Sequence, residues 1–195
     1  MERKLTPRDR LFVFGGLCFA IVALAVGWQL YPKVNPEASI RFDVDRAQSK
    51  ILARDLAVSL GLDADLNRHA SSFLAQRRSM VFLERELGLE RANELVTGPV
   101  RIWRWGHRWF RPLDKEEFAV EVATTGEIVR FEHLIEEDAP GARLEVGEAR
   151  RIAERVAEQS LQVDLSRLEF LSEQTQERRF RTDHTFTWRD PALRW

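Results

Sequence analysis

Arg101–Ile135 reads RIWRWGHRWFRPLDKEEFAVEVATTGEIVRFEHLI, and its patterning sets the fold class. The first part, Arg101–Arg111, is rich in aromatic residues, which favour pleated and half-buried backbone. Glu117–Ala123 then alternates Phe118, Val120 and Val122 with Glu117, Ala119 and Glu121, the period-two rhythm of a strand with one buried face. Thr124-Thr125-Gly126 supplies a turn, and Ile128–Ile135 returns with Ile128, Val129, Phe131 and Leu134. An antiparallel meander is predicted. Strand parity puts Trp103, Trp105 and Trp109 on one face, either as core against a helix or as the wall of a peptide or partner groove. Arg104 and Arg108 fall on the other face, within reach of Glu117 or Glu121.

Working outward toward the N-terminus, the pattern turns helical. Asp43 or Asp45 can cap a helix carrying Ala47, Ile51, Leu52, Leu56 and Leu60, stopped by Gly61. His69–Ala75 reads as a strand. Met80, Leu83 and Leu87 mark a short helix ended by Gly88, and Leu89–Val96 a second ended by Gly98-Pro99. On the C-terminal side, Pro140-Gly141 breaks the pattern before a helix with Val146, Ala149, Ile152, Ala153, Val156 and Ala157 on one face. Leu168–Ser172 and Thr182–Trp188 follow as a hairpin.

Asp65-Leu66-Asn67-Arg68 and Asp164-Leu165-Ser166-Arg167 both lie between an amphipathic helix and a strand, which points to two copies of one helix-then-sheet unit. The second copy is unfinished. Either its sheet borrows strands from the first copy, or the chain is the front of something longer. The predicted class is α+β, with a first unit over residues 45–138, a helical insertion near 79–97, and a second, partial unit over 139–195.

Leu11–Leu30, LFVFGGLCFAIVALAVGWQL, carries no charge and matches a hydrocarbon core of about 30 Å. Trp28 and Tyr31 are interfacial anchors, and Pro32 discourages continuation of the helix. Arg3, Lys4, Arg8 and Arg10 crowd the other end. The expected layout is a cytoplasmic segment over residues 1–10, a transmembrane helix over 11–31, and a tether over 32–44 containing Pro36. The positive-inside rule puts everything beyond about residue 32 outside the cytoplasm. Ala23-Leu24-Ala25 has the form of a signal-peptide cleavage site, but the apolar stretch continues past it to the aromatic anchor.

Of 195 residues, 44% are hydrophobic and 31% charged, a balance that excludes a mainly disordered chain. Lys+Arg 30 against Asp+Glu 31 leaves a net charge of -1, with no global pull toward nucleic acid. Cys18 is the one cysteine, so an intrachain disulfide and a four-cysteine zinc site are both impossible. His69, His107, His133 and His184 lie at no metal-binding spacing, and no metal is expected. The pairs Glu116-Glu117 and Glu136-Glu137 flank strand ends, where solvated charge is the default. Asp183 and His184 are strand neighbours pointing to opposite faces. No phosphate loop or nucleophile elbow is present, so no catalytic residue and no cofactor is expected.

Certain runs also resemble a known family. Phe110-Arg111-Pro112-Leu113-Asp114-Lys115-Glu116-Glu117-Phe118, Phe131-Glu132-His133, Ala139-Pro140-Gly141-Ala142-Arg143-Leu144 and Arg181-Thr182-Asp183-His184-Thr185-Phe186-Thr187-Trp188 are similar to the exported front region of bacterial CPBP (CAAX-protease-like) intramembrane endopeptidases. The resemblance implies PepSY-like helix-plus-sheet repeats behind a membrane helix, and a multi-helix protease portion elsewhere. It does not bring the active site with it. The family's two adjacent glutamates are followed, after three intervening residues, by an arginine, whereas here those places hold Glu121 and Gly141. The expected role is that of a non-catalytic, membrane-anchored binding or regulatory module, contacting a peptide or a membrane-embedded protease portion. Trp103, Trp105 and Trp109 or an edge strand would be the contact surface. A front fragment of an intramembrane protease and an envelope scaffold are the alternatives.

Overall fold

The computed structural model describes residues 7–34 and 40–192. Most of the expected cytoplasmic segment, with Arg3 and Lys4, lies outside the described residues, as do the centre of the tether with Pro36 and the final Trp195. Helix α1 spans Pro7–Val34, longer at both ends than the charge-free run. Pro7 suits a first helical position, where its missing N–H would be unpaired in any case. Pro32 does not end the helix at itself but within two residues, since one absent N–H near a terminus costs little ladder. Pro7–Tyr31 is long and apolar enough to cross a membrane.

Helix α2, Arg46–Ser59, starts at Asp45, whose carboxylate accepts from the Ala47 and Gln48 N–H groups while the Gln48 side chain accepts from the Asp45 N–H. That reciprocal pair is a capping box. The buried face of α2 is Ser49, Ala53, Leu56 and Ala57. Of the expected stripe, Leu56 and Leu60 do pack in the core, whereas Ala47, Ile51 and Leu52 are exposed, so the buried face is rotated toward Ser49, Ala53 and Ala57. Small residues at positions 49, 53 and 57 let the helix backbone approach its sheet, which the larger side chains of Ile51 and Leu52 would prevent.

The main sheet has the order β1-β2-β3-β4, with β1 at Arg68–Ala75, β2 at Trp103–Phe110, β3 at Glu117–Ala123 and β4 at Ile128–Leu134. The predicted meander is present. β2 and β3 are antiparallel with Trp109 opposite Phe118 and His107 opposite Val120, and β3 and β4 are antiparallel with an irregularity at Glu121/Val122. Gly126, at φ +103°, makes the tight turn, its N–H donating to the Ala123 carbonyl. Arg104 pairs with Glu121 at 2.6 Å and Arg108 with Glu117, as strand parity predicts.

Between β1 and β2 the chain forms α3, Arg77–Leu87, and α4, Leu89–Thr97, separated by Gly88 at φ +79°. After β4 come α5, Val146–Gln159, a 3-10 turn at Leu165–Arg167, and a separate two-stranded sheet of β5, Glu169–Glu177, and β6, Thr182–Arg189. The second sheet therefore borrows no strand from the first.

Two compact units emerge. One is drawn from the chain up to Asp43 and from Leu74–Trp103, the other from Val44–Phe73 and from Arg104 onward. Met80, Leu83, Ala92, Leu95, Val96, Ile102 and Trp103 form the core of the first. In the second, Ala53, Leu56, Ala57 and Leu62 pack with Trp109, Phe118, Val120 and Val122.

Candidate functional site

The three tryptophans singled out by parity lie in different surroundings. Trp103 is 7% exposed in one core and Trp109 2% exposed in the other. Only Trp105 is half-buried; its indole N–H donates to the Val44 carbonyl at 3.0 Å, and its ring meets the edge of Phe73. An indole that is both hydrogen-bonded and ring-packed is a structural anchor. The sheet interior claims these rings because they are the largest apolar groups available to it.

The same parity carries His107, which is fully buried. Its Nε2 lies 3.0 Å from Ser49 Oγ on α2 and its Nδ1 3.1 Å from His69 Nε2 on β1. Ser49 Oγ also donates to the Arg46 carbonyl at 3.0 Å. That assignment directs the chain: His69 Nε2–H donates to His107 Nδ1, and His107 Nε2–H donates to Ser49 Oγ. Burial, then the His69 ring and the Arg46 and Lys50 cations, pushes the His107 imidazole down to about 4. Burial and the same two cations also lower His69. Both rings are thus neutral near pH 7, and the hydrogen-bond chain requires this of His107, whose Nδ1 accepts. Serine beside histidine suggests a nucleophile and its base, but Ser49 and His107 are each 0% exposed, so substrate has no path to the hydroxyl. The cluster ties α2, β1 and β2 together. Sequence reading missed it because three singletons from distant segments leave no local spacing. The available signal was Ser49 standing one turn before Ala53 on the α2 face.

Three of the four paired acids are engaged by arginine: Glu116 by Arg111, Glu117 by Arg108 and Glu137 by Arg178. Glu116 also lies 2.8 Å from His133 Nε2, and Glu136 contributes its backbone carbonyl to Arg181. Arg108 keeps the Glu117 carboxyl below its usual range. Asp183 binds Arg181 at 2.8 Å and Arg178 at 2.9 Å, which lowers its carboxyl in the same way. His184 instead bonds Thr175 and the Leu144 carbonyl, so the neighbours Asp183 and His184 do not act as a pair. Among the described residues no group of three metal-ligating side chains converges.

Two surface features remain in the second unit. One is a cavity of about 750 Å³ between α2, the β3–β4 turn and the segment after α5. Leu52, Leu56, Ile128 and Leu161 contribute its apolar lining, but Asp55, Ser59, Thr125, Glu127, Gln159, Ser160 and Gln162 outnumber them. Small-molecule sites are mostly apolar with few polar groups, and this one is the reverse.

The other feature is the β5–β6 layer. One end is clamped: Arg181 donates to the carbonyls of Glu136, Glu137 and Ala139, Arg143 donates to those of Arg178 and Arg179, and the Gly141 N–H reaches Phe180. Toward the other end the rings of His184, Phe186 and Trp188 run along β6, and Phe170 meets Trp188 edge-on at 5.7 Å. Arg150 of α5 stacks over Phe170 at 3.9 Å. None of these rings is fully buried, and no residue of α5, β5 or β6 is. The register slips at Leu171, which stands unpaired and 53% exposed. The first sheet has four strands, whereas the second has two. Comparison of the chain with protein-family models, with curated proteins and with solved structures gives no match.

Proposed function

We propose that this chain is a membrane-anchored, extracytoplasmic binding module with no catalytic residue of its own, and that its partner adds an extended segment to the β5–β6 sheet. The observation that carries this reading is the incomplete second layer: two strands, an aromatic row left half-covered, and a bulge at Leu171. Two strands are marginal on their own, and three or more with an apolar face are needed for independent stability. An added strand supplies main-chain hydrogen bonds along the edge and covers the rings, the mode called β-augmentation. The occupant is a peptide or, as the resemblance to CPBP-type endopeptidases suggests, a membrane-embedded protease portion. Paired carboxylates and a sealed Ser49 favour binding over chemistry.

A photo-crosslinking residue at position 171, in protein expressed in its own membranes, tests this. A discrete adduct that disappears in Trp188→Ala, with circular dichroism unchanged, supports the proposal. No adduct from position 171, with adducts forming from position 52, would instead assign binding to the polar cavity.

A further inference from the structure

We propose that α3 lies on the surface of an anionic phospholipid bilayer, beside the point where α1 leaves it. Helix α3 presents two opposed stripes. Met80 and Leu83 are buried against α4 and Leu87 is half-buried there, as a core-facing stripe should be. Arg78, Val81, Phe82 and Arg85 stand at the i, i+3, i+4, i+7 spacing that brings four side chains onto one face. All four are exposed, Val81 at 60% and Phe82 at 54%.

In water, that face is poorly designed. It sets two large apolar side chains between two arginines, and among the described residues neither Arg78 nor Arg85 has a carboxylate partner. At a lipid interface the same arrangement is favourable: the apolar pair sinks to the acyl boundary while the guanidinium groups meet phosphates. Arginine stems also bury along apolar surface while their heads remain at headgroup level.

The bilayer is the partner because the fold brings it within reach. Helix α4 packs against both α3 and α1, so the α3–α4 pair and the apolar helix belong to one compact unit. Helix α1 has 28 residues and is about 42 Å long, longer than a hydrocarbon core of roughly 30 Å. Its ends therefore reach headgroup depth. A soluble partner would have no such tether to this face.

The inference rests on α1 crossing the membrane, so the experiment reads insertion separately. Full-length protein carrying Cys18→Ser and Phe82→Cys, with an apolar nitroxide at position 82, is reconstituted into vesicles of phosphatidylcholine alone or mixed with phosphatidylglycerol. Co-flotation with vesicles after an alkaline wash reports α1. Collision with oxygen against a water-soluble nickel chelate reports the label. The expected result is protection from the chelate in the mixed vesicles, lost when Arg78→Glu and Arg85→Glu are added, with flotation unchanged. A label equally open to the chelate in both vesicle types, in protein that floats, overturns the α3 assignment alone. Protein that fails to float overturns the anchor instead, and the α3 proposal falls with it.

Discussion

His107 concentrates the chemistry of the second unit in one side chain. An unfolded imidazole titrates near 6.5, while burial beside His69 and under Arg46 and Lys50 holds the folded one at about 4. Above 6.5 both states are neutral and the full stability is present. Between 6.5 and 4 the unfolded chain binds a proton that the fold refuses, so stability falls as the pH falls, by up to about 3 kcal/mol. Urea titrations across that window check the slope, and His107→Phe should reduce it, leaving the contribution of His69. Trp109 and Trp105 separate in a second measurement. Trp109→Ala empties a nearly sealed core site and should cost about 3–5 kcal/mol in denaturant unfolding. Trp105→Ala should cost less, its loss being one hydrogen bond to Val44, about 1 kcal/mol, and an edge contact with Phe73. The parity of the three tryptophans was legible in the sequence. Their burial was not, because parity assigns a face and says nothing about what covers it.

At the scale of elements, α2 shows where sequence periodicity stops deciding. Ala47, Ile51 and Leu52 are the more hydrophobic set, although they spread wider around the wheel than Ser49, Ala53 and Ala57. Closeness of approach to the sheet decides for the small residues. Accordingly, Ala53→Leu should destabilise by about 1–3 kcal/mol through overpacking. Ile51→Ala should stay within about 0.5 kcal/mol. Asp45→Ala, which removes the cap and its two accepted N–H bonds, should cost about 1 kcal/mol. Thermal unfolding of the three variants in parallel distinguishes the two faces. The meander was legible because β3 alternates cleanly and Gly126 marks its turn, and both features are local. The Ser49–His107–His69 chain and the rotation of α2 are set by tertiary approach, which leaves no trace in spacing.

For the whole molecule, the proposed topology rests on α1 and the charge around it. If the basic residues at and before the first turn of α1 remain in the cytoplasm, protease added to intact spheroplasts should digest residues beyond α1 and spare an N-terminal epitope tag. The reverse pattern would invert the topology. The 27 residues between β1 and β2, which form α3 and α4, carry a further consequence for the path by which the sheet assembles. Strands β2, β3 and β4 are joined by short turns and can zip together early, whereas β1 joins only after a long loop closes. Closure entropy grows slowly with loop length, about 0.6 kcal/mol per doubling, so the insertion is thermodynamically cheap but orders events in time. Substitutions on the meander should slow refolding, while those on β1 should mainly speed unfolding. The strand that brings His69 to His107 is then the last to dock and the first to leave.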